Sequence, residues 1–314
     1  MSLITKLLLA IYFLYIMAAE GGGNIIWFTY TGTDGEVIDD EATHVIVDKN
    51  CTVVRAYAFR NHPSIVEVIC HENVEKIEQE AFLWCPSLRR VVMRGVKVVE
   101  GSAFHCCEAL TDVECDKLEI IKEYALSWCT SLKSINLPSA RIVERTAICR
   151  CYALKDVKFG SKLERIDVEA FWLCSSLERI AIPLKDGLFN HDDIFQGCDD
   201  LLQVDLIEGK LHKIIAALHL EEWRNDMNQE VDSINQILLS ASAGRYVDGY
   251  DEEGDPGEKA RALRRWIRSV IQRLIHYKAE HRKLLKEATT LLELALWKAN
   301  LADNNGGKGE REGV

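Results

Sequence analysis

A chain of 314 residues exceeds one ordinary domain and leaves room for a repeat array plus a second module. Apolar residues make up 48%, which excludes wholesale disorder. The formal net charge of −11 argues against a nucleic-acid-binding role, because phosphate would be repelled.

Residues 1–23 begin MSLITKLLLAIYFLYIMAAE, with Lys6 followed by an apolar run from Leu7 to Ala19. The run is shorter than the ~20 residues a spanning helix needs. Its positive start and length suit a secretory signal peptide, but the region before a cut lacks the small residues that cleavage prefers. A signal or anchor and a short apolar extension therefore both stay open, and the chain is membrane-associated only if this segment functions. Residues 24–44 are expected to form an N-terminal cap.

From residue 45 to 207 one signature recurs: a small apolar residue, a second apolar residue, two spacers, Cys, two spacers, Leu. Its first positions are Ala58, Ala81, Ala103, Ala125, Ala147, Ala170 and Ile194, spaced 22 to 24 residues apart. A fixed period in this range with regular leucines marks a leucine-rich solenoid. Counting from each of the first six positions, the columns four and seven before and ten and twelve after hold only apolar residues or Cys. Examples are Ile77, Val74, Val91 and Met93 around Ala81. Such columns are interior ladders, each residue stacked on its equivalent in the next coil. The stretch seven to twelve after, as in LRRVVM, alternates in the manner of a half-buried strand. Stacked coils then form a parallel sheet on the concave side of the solenoid, with the Ala-Phe-x-x-Cys turn opposite.

Cys85, Cys107, Cys129, Cys151, Cys174 and Cys198 share one ladder, and Cys51, Cys70 and Cys115 occupy others. Free Cys packs as a small hydrophobe, so these nine read as core. Cys106 and Cys149 lie off the ladders and are the only thiols available for a redox role. A core of thiols fits a reducing compartment such as the cytoplasm, against the reading of residues 1–19 as an export signal.

The units IEQEAFLWCPSL, IKEYALSWCTSL and IDVEAFWLCSSL carry a resemblance to the BspA-type leucine-rich repeat, the cysteine-bearing class, over residues 45–207. That resemblance implies the solenoid fold and, in general terms, a binding role; members look like surface antigens, adhesins and uncharacterised proteins of bacteria and protists. The chain departs from the pattern at His62, which replaces the ladder Cys, and at Gly187 and Asn190, which stand where core residues belong.

The outward strand positions are Glu67, Arg90, Asp112, Ser134, Asp156 and Arg179 in one column, and Val92, Glu114, Asn136 and Lys158 in the next. These ten are the expected protein-binding face, because an extended sheet surface is how solenoids bind. Trp84, Trp128 and Trp172, beside the cysteines, either form a hydrophobic ridge for a partner or shield the ladder beneath; shielding is the favoured reading.

After Glu208 the period is lost. Residues 208–301 are expected to hold two long helices, 211–239 and 258–301, separated by an acidic loop at 246–259, with residues 302–314 disordered. Leu263, Ile267, Val270, Leu274, Tyr277, His281, Leu284, Ala288, Leu291 and Ala295 alternate spacings of four and three, a heptad seam. An antiparallel hairpin and a homo-oligomer through residues 260–296 both satisfy it. The basic stretch 261–286, with Trp266, Val270 and Ile275, also has the look of a membrane-surface or calmodulin-binding helix.

No phosphate-cradling loop, H-E-x-x-H or Cys-x-x-Cys occurs, and no nucleophile, base and orienting group come together in one motif. The expectation is thus a non-enzyme without cofactor or metal: an α/β-type leucine-rich repeat solenoid followed by an α-helical hairpin, binding a protein partner. A secreted or cell-surface adhesion protein is the alternative.

Overall fold

The computed structural model describes residues 25–33, 35–207, 221–241 and 257–306. The apolar N-terminal segment and most of the predicted acidic loop lie outside these residues. Among the described residues, no helix is long and apolar enough to cross a membrane.

The chain winds into a parallel-strand solenoid of about seven turns followed by a helix pair. The main face carries β1 (Trp27–Tyr30), β2 (His44–Val47), β4 (Glu67–Cys70), β6 (Arg90–Val92) and β8 (Asp112–Glu114) as one sheet. A second sheet continues it with β10 (Ser134–Leu137), β12 (Asp156–Phe159), β14 (Arg179–Ile182) and β15 (Gln203–Leu206). Every pairing is parallel and in the register of the repeat, such as Glu67 beside Arg90 beside Asp112. The segment expected as a cap thus supplies the first strand of the sheet, β1.

A third sheet was not anticipated. The two-residue strands β3 (Val53–Val54), β5 (Lys76–Ile77), β7 (Val98–Val99), β9 (Ile120–Ile121), β11 (Ile142–Val143) and β13 (Arg165–Ile166) stack on another side of the coil. Their second residue is always the buried ladder residue four before the signature, and in all six pairs it is a β-branched Val or Ile suited to a pleated wall.

The third side is the Ala-Phe-x-x-Cys turn, and its backbone is unusual. In each of six coils, the residue before the first position and the residue three after it take left-handed φ: Tyr57 and Asn61, Glu80 and Trp84, and so on to Glu169 and Leu173. None is glycine, although such residues normally avoid this region. Alternation between right- and left-handed residues turns every second N–H along the stack. Phe59, Phe82 and Phe104 donate to Ala81, Ala103 and Ala125 of the following coil, at 2.7–2.8 Å, while intervening amides close short turns within their own coil. Stacking therefore satisfies backbone that a lone coil would leave unpaired. Beneath the turn, Phe59, Phe82 and Phe104 pile face on face with centroids 4.9 and 5.1 Å apart.

All eleven cysteines are free thiols. The six of the ladder are essentially without exposure. Cys149, expected to be an available thiol, is buried too, because the turn residue two after the first position packs inward in its coil. Burial pushes its thiol up to about 12. Cys106 is half-buried and its thiol is likewise raised, first by burial and then by the charge of Glu108.

The helices are α1 (Glu221–Ala241) and α2 (Glu258–Gly306). They run antiparallel: Tyr277 Oη donates to Asp226, Arg273 pairs with Glu230, and Trp266 Nε1 donates to the Glu230 carbonyl at 2.9 Å. Helix α2 continues through residues 302–306, which were expected to be disordered. The pair closes the last coil. Ile234, Leu238, Leu263, Ile267 and Val270 are buried there together, with Trp266 5% exposed. Trp266 and Val270 are therefore committed inside the molecule, which removes the calmodulin-type spacing from the surface.

Candidate interaction surface

The main sheet places the predicted binding residues in two rows, one residue per coil, ~4.8 Å apart. The first runs Trp27, His44, Glu67, Arg90, Asp112, Ser134, Asp156, Arg179, Gln203; the second holds Val92, Glu114, Asn136 and Lys158. The geometry separates them into two kinds.

Six carry charges that face one another across rungs. Arg90 is a hub: its guanidinium donates to Glu67 at 2.9 Å, to Asp112 at 3.0 Å and to Glu114. Arg94 also reaches Glu114. Desolvation would raise the Glu114 carboxyl, but the two guanidinium bonds prevail and hold it below the usual range. Arg179 does the same job further along, between Asp156 and Asp205.

Glu67 corrects the sequence reading. It was expected to face outward to a partner, yet it is only 4% exposed. It lies between Arg90 and the buried ring of His44, whose Nε2 is 4.0 Å away, and the Trp27 indole lies tilted against His44 with ring centroids 4.9 Å apart. The cover comes from β1, outside the cysteine-bearing repeats, so the repeat pattern gave no sign of it.

The remaining four are different. Val92 is half-buried, while Ser134, Asn136 and Lys158 are exposed, and among the described residues their side chains make no ion pair or hydrogen bond. Ser134 and Asn136 sit where the hydrogen-bonded sheet is interrupted, between β8 and β10. Ile46 and Ile69 extend the half-buried apolar row beside Val92. The face thus offers an apolar strip on the N-terminal coils that gives way to unengaged polar groups at the break.

The tryptophans also divide. Trp84 is 59% exposed and shields little. Trp128 and Trp172 hold the Arg150 guanidinium between them, at 4.7 and 4.4 Å from their ring centroids. Sequence reasoning missed Arg150, although its place in the same turn position as Trp84 and Trp128 was visible in the alignment of coils. Among the described residues, no group of three or more His, Cys, Asp or Glu is arranged to hold a metal ion.

A parallel-strand solenoid with an interior thiol ladder defines a leucine-rich repeat protein. The model of the BspA type leucine rich repeat region matches in six copies over residues 39–153 and 97–216, more than half of the chain, and the chain belongs to that family. Among solved structures it is similar to a leucine-rich repeat protein from Bacteroides ovatus (22% identity, TM-score 0.45, covering 53% of this chain and 43% of that one). It is also similar to the T. pallidum leucine rich repeat protein (21%, TM-score 0.39, 57% and 73%) and to the pneumococcal vaccine antigen PcpA (12%, TM-score 0.27, 63% and 70%). The chain spans less than half the length of the first of these. No curated protein matches it.

Proposed function

We propose that the chain is a non-catalytic scaffold that docks a protein partner on the strand face of its solenoid, around Val92, Ser134, Asn136 and Lys158. Leucine-rich repeat solenoids commonly serve as interaction or surface-recognition scaffolds. The observation that carries the reading is the contrast within one face. The charges around Arg90 and Arg179 satisfy each other, whereas the four named residues stand unengaged, Ser134 and Asn136 at the break in the sheet and Val92 and Lys158 on β6 and β12 to either side of it. A photo-crosslinking residue at Asn136 should yield one discrete adduct in the native source, lost when Ser134→Arg and Lys158→Glu are added. The same crosslinker at Lys97, beside the short-stranded sheet, should yield none. Equal adducts from both positions would sink the proposal.

A second reading concerns the tail, and one observation favours it. The helices meet at Tyr277 and Asp226, and α2 runs on from there to Gly306. On that distal part Leu284, Leu291, Leu292 and Trp297 are each more than half exposed. Self-association is therefore proposed for residues 282–298. The wider seam at 260–296 does not fit, because its first part is spent on the cap. Sedimentation should give a dimer that Leu284→Glu with Leu291→Glu converts to monomer; a monomeric wild-type chain at tens of micromolar, far above a nanomolar-to-micromolar Kd, would refute it.

A further inference from the structure

The turn side of the solenoid carries a site of its own. Trp84, Cys106, Trp128 and Arg150 occupy the same position in four successive coils, and all four have φ of 59° or 60°. Their side chains therefore leave the coil in the same direction, one coil spacing apart.

The last part of this row shows how it is filled. Arg150 sits between Trp128 and the Trp172 indole of the next coil, and the two ring distances together span close to two coil spacings, ~9.6 Å. Two coil spacings is thus the width that a guanidinium stacked on both faces occupies. Trp172 stands one residue earlier in its turn than the other tryptophans.

Trp84 and Trp128 are also two coils apart, and the residue between them is the small Cys106. Trp84 is 59% exposed, with a large apolar surface in water. Beside Cys106, Glu108 is exposed, makes no ion pair among the described residues, and lies close enough to bear on the Cys106 thiol. We infer that Trp84 and Trp128 are the two walls of a binding site for an arginine side chain of a partner protein. Cys106 forms its floor and the Glu108 carboxylate stands at its mouth. Indole faces attract cations, and a planar guanidinium stacks on both walls where a tetrahedral ammonium cannot. The occupant is inferred from the molecule's own example, Arg150, and from a chain whose net charge is −11. This surface is separate from the strand face, so it engages a partner independently of the docking described above.

The test uses the full chain and a twelve-residue peptide of alternating glycine and arginine, compared by calorimetry with its lysine and trimethyllysine counterparts at physiological salt. The arginine peptide should bind about tenfold more tightly than the lysine peptide, because screening leaves stacking rather than bulk charge to discriminate. Trp84→Ala removes one wall and Cys106→Arg supplies an internal occupant; each should weaken arginine-peptide binding about tenfold. Cys106→Arg asks nothing new of the backbone, since Arg150 already takes the same φ. Should Cys106→Arg fail to fold, Trp84→Ala and Glu108→Gln, both at exposed positions, still decide the matter. Equal binding of the arginine and lysine peptides overturns the site, as do tighter binding of trimethyllysine, indifference to Trp84→Ala, and no binding at all.

Discussion

The thiol of Cys85 donates to the backbone carbonyl of Phe59, 3.1 Å away in the preceding coil. The same bond recurs from Cys107 to Phe82, Cys129 to Phe104, Cys151 to Leu126, Cys174 to Ile148 and Cys198 to Phe171. In the first coil His62 takes the role, its Nε2 lying 3.0 Å from the Asp39 carbonyl. The ladder is thus a column of directed bonds as well as a packed one. That explains why a weak donor of small volume recurs where Val or Ala would fill the space.

Cys129→Val tests this directly. It removes the donor and puts two methyl groups where one sulfur stood, so any crowding adds to the loss. The Phe104 carbonyl retains the amide of Cys107, so the loss is one bond of its two, and about 1 kcal/mol of stability should go. Urea unfolding with an unchanged m-value is the measurement, and a variant as stable as wild type would reduce the ladder to packing alone.

Alkaline pH should dismantle the core. Burial raises Cys70 and Cys115 to about 12, and holds Cys107, Cys129 and Cys174 well above the ordinary thiol range. The folded state thus keeps protons that the unfolded chain releases near pH 8.5, the ordinary thiol value. The contribution is intact below about pH 8.5 and is lost as pH rises towards the folded values, by roughly 2 kcal/mol per thiol at pH 10. Circular dichroism should show unfolding between about pH 9 and 11. Native alkylation at about pH 8 should leave the ladder thiols untouched. Ladder thiols that alkylate as fast as those of the denatured chain would contradict both expectations.

Arg90 was legible as a surface residue but not as a structural one. Its removal takes away a guanidinium 2.9 Å from Glu67, which is buried beside His44. A buried carboxylate that loses its partner costs several kcal/mol; because about a third of the Arg90 side chain meets solvent, Arg90→Ala should cost about 1–3 kcal/mol. Ser134→Ala and Asn136→Ala should each stay within about 0.5 kcal/mol of wild type, as expected of exposed groups with no internal duty. A double-mutant cycle with Glu67→Ala should return a coupling of about 1 kcal/mol. Zero coupling would mean that the Arg90 network contributes only to the surface.

What could be read beforehand follows from range. The ladders were legible because a 22-residue period puts Val91, Val113 and Ile135 in one column, and stacked coils leave such a column nowhere to go but inside. The short-stranded sheet had its signal in the same alignment, in pairs such as Ile120-Ile121 and Ile142-Val143. So did the cross-rung ion pairs, since the column Glu67, Arg90, Asp112 alternates in sign once the register is set. The cover over Glu67 and the docking of the helices were not legible. Trp27 and Lys259 belong to no repeat, and their partners are fixed by how the two ends of the stack are closed.

That closure can be broken at one side chain. A solenoid's last coil exposes an unpaired strand edge and an uncovered core, which invites aggregation. Here the Val204 amide of β15 donates to Asn235 Oδ1 at 3.0 Å. At the start of α2 the Lys259 ammonium donates to the Cys198 and Asp199 carbonyls at 2.7 and 2.9 Å, and Arg264 pairs with Asp192. Burial lowers the Lys259 pKa, so the ammonium is held there by these carbonyls and by the nearby acidic groups. Lys259→Met keeps the stem that covers the last coil and deletes two charge-assisted bonds, each of which contributes about 1–2 kcal/mol net of desolvation. The first turns of α2 should then exchange their amide hydrogens faster while the strands of the middle coils keep their protection. Unchanged exchange in residues 258–270 would show that the apolar contacts of Leu263, Ile267 and Val270 hold the cap unaided.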